Sequence, residues 1–207
     1  WLFSTQMFGI KLGLEGPRRL LKKFLAYPRH DTRVIHVAGT NGKGSCVAFL
    51  DAILRLAGYR TGSYTSPHLV RYNERIRIDG KEATDQAICE AFARIDDVRQ
   101  FTSLTYFEFG TLAALDIFLD ENIDVAILEV GLGGRLDAVN LLDADAVLGT
   151  AKSAASKASR HPLNPWTSIA GGPYIEVPMG SLIAAQFCSS TLSGAGAQKS
   201  CRSSSMV

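Results

Sequence analysis

The sequence has 207 residues, of which 46% are apolar and 20% charged, and its formal net charge is +2. These values are typical of a globular chain, and the small net charge argues against the general basic field of a nucleic-acid-binding protein. No apolar run approaches the roughly 20 residues that a membrane helix needs, so we expect no membrane contact.

The N-terminal residues lack the basic and then apolar pattern of a signal peptide. The four cysteines are widely spaced and contain no CxxC pair, so we expect free thiols in a reducing cytoplasm. Because the sequence does not begin with Met, we also expect that part of the natural N-terminus is missing.

Strand-like and helix-like segments alternate over residues 1–150. β-rich apolar runs predict strands at 34–38, 61–65, 124–130 and 146–148. Helical spacing of apolar residues predicts helices at 44–57, from a Thr84 cap onwards, and at 104–122. This alternation predicts an α/β fold, a mostly parallel sheet flanked by helices.

The composition changes sharply near residue 150. Residues 151–207 are rich in Ser, Ala and Gly, and contain only Glu176 of the 20 acidic residues. We therefore predict two parts: an α/β domain over 1–150, and an atypical tail over 151–207 that is disordered or non-native. A functional tail is the alternative, and a shifted reading frame is one hypothesis for the break.

A glycine-rich loop carries the strongest chemical signal. It follows a predicted strand and opens a predicted helix, in the order Gly39, Thr40, Asn41, Gly42, Lys43, Gly44 and Ser45. Glycines let backbone N–H groups approach phosphate oxygens, and the helix N-terminus adds partial positive charge. The alternative is a plain glycine turn with a solvated Lys43.

A second signal is Glu129, which stands in a near-continuous apolar run. Burying an unpaired carboxylate is costly, so this position favours a metal or a charged partner. Ser66 before Pro67 is a good turn residue. His36 is expected to be a core residue, whereas the role of His68 stays open.

Several segments together resemble the folylpolyglutamate/dihydrofolate synthases of the Mur ligase superfamily. In chain order they are residues 8–14, 37–45, 65–69 with 73–76, 105–108 and 129–140. The resemblance spans about residues 8–148 and implies a P-loop-containing fold like the central domain of Mur ligases.

The resemblance also implies a reaction. ATP would phosphorylate a carboxylate of dihydropteroate or folate, and the amino group of L-glutamate would attack the acyl phosphate to form an amide. ATP and Mg²⁺ are the implied cofactors, and the parent enzyme is expected to be a monomer.

The implied residue roles follow the matching motifs. The loop Gly39 to Ser45 would hold ATP, with Lys43 and Glu129 as the catalytic residues. Ser66 and Glu129 would hold the metal. The pterin or folate would contact Thr105, Tyr106, Phe107, Glu108 and Leu136.

The pattern breaks near residue 150. The family's third metal ligand, a His, its carbamylated Lys and its C-terminal domain have no counterpart in this sequence, so we expect weak or no ligase activity from this chain alone. A stand-alone nucleotide-binding module, a non-functional truncated product and a muramyl-peptide ligase are the alternatives. The sequence does not separate dihydrofolate synthesis from polyglutamate extension.

Overall fold

The computed structural model describes residues 14–24, 32–131, 137–151 and 174–178. Its helices are α1 (Glu15–Phe24), α2 (Lys43–Leu56), α3 (Asp85–Arg99) and α4 (Tyr106–Asp120). Its strands are β1 (Arg33–Gly39), β2 (Thr61–Tyr64), β3 (Ile76–Ile78), β4 (Lys81–Glu82), β5 (Val125–Glu129), β6 (Ala146–Ala151) and β7 (Tyr174–Pro178). Short 3-10 turns cover Tyr72–Arg75 and Ala138–Leu141.

The strands form one seven-stranded sheet in the order β4-β3-β2-β5-β1-β6-β7. Four of its pairs are parallel, and only the β3–β4 hairpin and its junction with β2 are antiparallel. The predicted α/β fold with a mostly parallel sheet is therefore confirmed. None of the described helices is long and apolar enough to cross a membrane.

Helices cover both faces of the sheet, because alternate residues of a strand point to opposite sides. In β1, Val34 and Ala38 pack with α1, α3 and α4, whereas Ile35 and Val37 pack with α2. His36, in the same strand, is buried, and burial lowers its pKa to about 4. The charge of Asp143 and a hydrogen bond with the Val139 backbone act in the opposite direction, but their effects are smaller. A core position was expected for this residue.

Threonine caps set the starts of α3 and α4. The Thr84 hydroxyl accepts a hydrogen bond from the Ala87 N–H at 3.1 Å, as the sequence predicted. The helix predicted from residue 104 begins instead at Tyr106, because Thr105 is its cap and exchanges hydrogen bonds with Glu108.

Strand β7 lies inside the segment for which composition predicted no regular element. It pairs parallel with β6, from Val147 opposite Tyr174 to Ala151 opposite Pro178, so β6 is an inner strand. Three of its five residues, Tyr174, Ile175 and Val177, are of types that favour strands. Residues 152–173 and 179–207 lie outside the described residues.

Candidate active site

The glycine loop connects β1 to α2 with backbone angles that favour glycine. Gly39 has φ +135°, and a Cβ there would overlap Thr150 of the neighbouring strand β6. Gly42 has φ 81° and precedes α2 without a side-chain cap, so no side chain of its own covers the first turn. The helix N-terminus is therefore open to an anion, as a phosphate site requires.

The remaining loop residues are accessible to a ligand. Lys43 is partly buried, whereas four others are exposed to solvent: Thr40, Asn41, Gly44 and Ser45. The Lys43 Nζ donates to the Gly39 carbonyl oxygen at 3.2 Å, which folds the ammonium group back over the loop. The structure thus brings the predicted phosphate-binding residues together at one end of α2.

Glu129 stands directly beside this loop. It is the last residue of β5 and pairs in register with Val37 of β1, so it lies at the carboxyl edge of the parallel sheet. Its side chain is only 6% exposed, and its Oε1 lies 3.9 Å from the Lys43 Nζ. A Cβ on Gly44 would lie 4.0 Å from its Oε2, which places the carboxylate over the first turn of α2.

The electrostatics of Glu129 indicate a site built for a cation. Burial raises the pKa of the Glu129 carboxyl, against the opposing effects of the Ser66 N–H, which donates to Oε2 at 3.1 Å, and of the charges of Lys43 and Arg75. A buried carboxylate whose nearest cation is beyond hydrogen-bond length leaves lone pairs available.

The donor set fits a hard cation of the Mg²⁺ type. Among the described residues no cluster of three or more His, Cys, Asp or Glu side chains occurs. Mg²⁺ commonly binds through one or two carboxylates while keeping waters and substrate phosphates as its other ligands. Glu129, with the neighbouring Ser66 as an oxygen donor beside the phosphate loop, meets that requirement.

The loop after β2 is shaped by Glu74. Its carboxylate accepts hydrogen bonds from the backbone N–H groups of Leu69, Val70 and Arg71 at 2.8, 2.9 and 2.8 Å. These bonds lower the pKa of Glu74 to about 2. The Ser66–Pro67 bond in the same loop is cis. Sequence reasoning gave Glu74 no role of its own, although it lies in a motif that resembles the family.

Arg75 is a further residue that sequence reasoning did not single out. It is 7% exposed, and its Nε donates to the His68 Nδ1 at 2.7 Å. Its guanidinium carbon lies 5.6 Å from the ring centre of Tyr72 and 5.5 Å from that of Tyr106. His68, whose role was open, therefore faces a buried cation.

The predicted pterin segment divides into two kinds of residue. Thr105 and Glu108 form the α4 capping box, and Glu108 is buried, so both have a local structural role. The rings of Tyr106 and Phe107 lie on the site side, and a Cβ on Gly131, two residues after Glu129, would meet the Phe107 ring at 2.8 Å. Leu136 lies outside the described residues. Pterin binding by this segment stays a prediction.

A parallel strand, a glycine loop, a helix N-terminus and a buried carboxylate at one sheet edge define the class: a P-loop-type nucleotide-binding α/β protein. No family model matches the chain. It is 56% identical over 117 residues to the dihydrofolate synthase/folylpolyglutamate synthase of Escherichia coli K12, an alignment that covers 56% of this chain and 28% of that protein.

Solved structures agree with this relationship. One is E. coli FolC in complex with DHPP and ADP, with a TM-score of 0.68 and 47% identity over 73% of this chain and 36% of that one. Another is a bifunctional folylpolyglutamate synthase/dihydrofolate synthase with Mn, AMPPNP and L-glutamate bound, with a TM-score of 0.71 and 39% identity over 86% and 47% of the two chains.

The resemblance found in the motifs is thus confirmed. Over the aligned stretch the chain is similar in sequence and in fold to dihydrofolate synthase/folylpolyglutamate synthases. It spans about a third of the length of the curated relatives that it matches, 28% of the E. coli protein and 32% of the Haemophilus influenzae protein.

Proposed function

We propose that this chain is the N-terminal, ATP-binding part of a ligase that joins L-glutamate to dihydropteroate or folate. The observation that carries the proposal is the placement of Lys43 and the buried Glu129 on either side of an uncapped helix N-terminus. That arrangement offers one cation for phosphate oxygens and one carboxylate for a metal. The relatives named above are bound to ADP, or to AMPPNP with Mn.

In this proposal the loop from Gly39 to Ser45 holds the phosphates of ATP. Its backbone N–H groups face the phosphate oxygens, and Lys43 swings from the Gly39 carbonyl to the β- and γ-phosphates. Glu129 and Ser66 hold Mg²⁺. The metal, when bound, neutralises charge on the phosphates, and the protein fixes its position relative to Lys43.

The acceptor carboxylate lies at the same sheet edge. One of its oxygens attacks the γ-phosphorus, the bond to the β,γ-bridging oxygen breaks, and ADP leaves with the electron pair. The glutamate amino group then attacks the acyl carbon, and inorganic phosphate and a proton are released. Tyr106 and Phe107 form the aromatic wall for the pterin, while Thr105 and Glu108 support it through the α4 cap.

The same site geometry fits a second candidate. A stand-alone nucleotide-binding module without synthesis would use the same pairing of Lys43 with Glu129 beside the loop. The two candidates share Lys43 and Glu129. They differ in phosphate release that depends on glutamate, which only the ligase requires.

A chimaera separates them. Residues 1–150 would be joined to the remaining two thirds of the E. coli relative, and phosphate release measured with ATP, dihydropteroate and glutamate. The ligase proposal predicts release that needs all three substrates and is lost in Lys43→Ala. The control is Arg77→Gln, which removes one charge from an arginine paired with Glu82 on the surface. A folded chimaera that binds Mg-ATP without such release would favour the module.

The acceptor substrate, the cellular location and the oligomeric state are further parts of the proposal. Replacing dihydropteroate by folate or by a muramyl peptide in the same assay tests the substrate class. We propose a cytoplasmic, monomeric parent enzyme without a nucleic-acid partner. The net charge of +2 supports the last point, and Cys46 and Cys89 are free thiols. Sizing chromatography of the chimaera would test the monomer.

A further inference from the structure

Arg75 is a buried cation without an acidic partner. Only 7% of the residue is exposed, yet no Asp or Glu oxygen in the described part of the chain lies within 4.0 Å of its guanidinium. Burying a charged group away from water costs several kcal/mol unless a partner compensates it. A position that keeps such a charge is expected to have an anionic ligand.

The groups around Arg75 hold its side chain but do not neutralise its charge. Its Nε donates to the His68 Nδ1 at 2.7 Å, and its guanidinium lies over the rings of Tyr72 and Tyr106. An arginine can only donate, so the His68 Nδ1 accepts this bond, and none of the three rings carries an acidic group that would pair with the guanidinium. The terminal fork of the guanidinium has the geometry that pairs with a carboxylate or a phosphate.

The position of Arg75 identifies the site it serves. Its carbonyl oxygen accepts from the Thr65 N–H at 2.9 Å, directly after the end of β2. Arg75 thus lies at the carboxyl edge of the sheet, where open α/β folds bind their ligands. Its charge acts on Glu129, where it opposes the rise in pKa that burial causes, while its guanidinium contacts Tyr106 of the predicted pterin segment.

We propose that Arg75 binds the carboxylate of the acceptor substrate, the group that is phosphorylated in the reaction. The identity of the acceptor rests on the proposed function, whereas the need for an anion rests on the burial of Arg75 alone. His68 is a positioning residue: by accepting from Nε it fixes the fork, and its own ring proton is on Nε2. An anion bound there lies between the aromatic wall and the metal carboxylate.

The test compares two ligands that differ by one charge. Pteroate and its primary amide are titrated into the full 207-residue chain without nucleotide, by calorimetry or ligand fluorescence. A charged hydrogen-bonded pair predicts that wild type prefers the acid by roughly tenfold to a hundredfold. In Arg75→Gln the preference falls to about one because the amide keeps its affinity.

Two further variants make the result specific. Arg77→Gln removes the same charge two residues away, from an exposed side chain paired with Glu82 at 3.3 Å, and leaves the acid preference unchanged. Arg75→Lys keeps the charge but loses the Nε bond to His68, and gives an intermediate preference. Circular dichroism checks folding; if Arg75→Gln does not fold, Arg75→Lys and the wild-type preference decide.

Three results would overturn the proposal: equal affinities of wild type for acid and amide, no binding of either, or an unchanged preference in Arg75→Gln. A parallel Mg-ATP titration separates it from the proposed function. If Mg-ATP does not bind while the Arg75-dependent acid preference persists, the nucleotide part of the proposed function fails and the anion site stands. If Mg-ATP binds through Lys43 without an acid preference, only the Arg75 site fails.

Discussion

Replacing Gly39 by alanine tests whether the phosphate loop is held by its contact with β6. The residue has φ +135°, and a Cβ would overlap the Thr150 side chain and approach its carbonyl oxygen to 2.6 Å. Gly39 and Thr150 are register partners of the parallel β1–β6 pair. The carbonyl therefore cannot retreat without disturbing the sheet.

The expected loss of stability has two sources. A non-glycine residue in this backbone region costs on the order of 1–3 kcal/mol. Forcing an extra carbon into a packed position adds about 1–3 kcal/mol. We therefore expect Gly39→Ala to lower the free energy of unfolding by about 2–6 kcal/mol, a large part of the roughly 5–15 kcal/mol of a typical domain.

Gly58→Ala is the matched control. Gly58 has φ +89°, and a Cβ there would meet no atom within 4 Å, so only the backbone strain of roughly 1–2 kcal/mol remains. Urea unfolding of both variants without nucleotide, followed by circular dichroism, measures the difference. Equal losses in the two variants would refute the claim that Thr150 constrains the loop.

Three further predictions concern buried or bonded charges. Burial lowers the pKa of His36 from 6.5 to about 4, so protonation of this residue favours the unfolded chain. The stability that is present above pH 6.5 is therefore lost as the pH falls towards 4, by roughly 3 kcal/mol at most. Urea unfolding across this range should show a flatter pH dependence in His36→Leu, and the same slope in both chains would contradict the account. Glu74→Gln should speed amide exchange of Leu69 to Arg71 by about tenfold with little change in global stability, since one amide oxygen replaces a carboxylate; unchanged exchange would count against it. Because burial raises the pKa of Glu129, its charge is unfavourable in the fold, and Glu129→Gln should unfold at a higher urea concentration than wild type at neutral pH. The same variant should lose metal-dependent nucleotide binding. A less stable variant would show that burying this carboxylate does not destabilise the fold.

The nucleotide part of the site could be predicted because its signals are local. A β-rich run, a glycine loop and helical spacing follow one another along the chain, and β1 and α2 formed there. Glu129 was found because one carboxylate interrupts an apolar run, and a buried charge needs a reason. These patterns depend on neighbouring residues and are visible without the fold.

The features that were missed depend on contacts distant in sequence or on short segments. Strands β3 and β4 have three and two residues; β3 is held by pairing with β2, and β4 by pairing with β3. The role of Arg75 depends on rings from two elements, one of which, Tyr106, lies far along the chain. Helix α1 was not predicted, although its Pro17 suits a first helical turn. The boundary between a domain over 1–150 and a tail stays a prediction.

Nucleotide binding tests the central claim most directly. Calorimetric titration of Mg-ATP into the 207-residue chain, Lys43→Ala and Arg77→Gln compares the loop cation with a surface cation of β3. We predict that wild type and Arg77→Gln bind with equal affinity, that Lys43→Ala binds at least about tenfold more weakly, and that chelating the metal weakens wild type to a similar degree. Equal binding by Lys43→Ala, or binding that does not depend on the metal, would contradict the assignment of this loop and Glu129 as an ATP site.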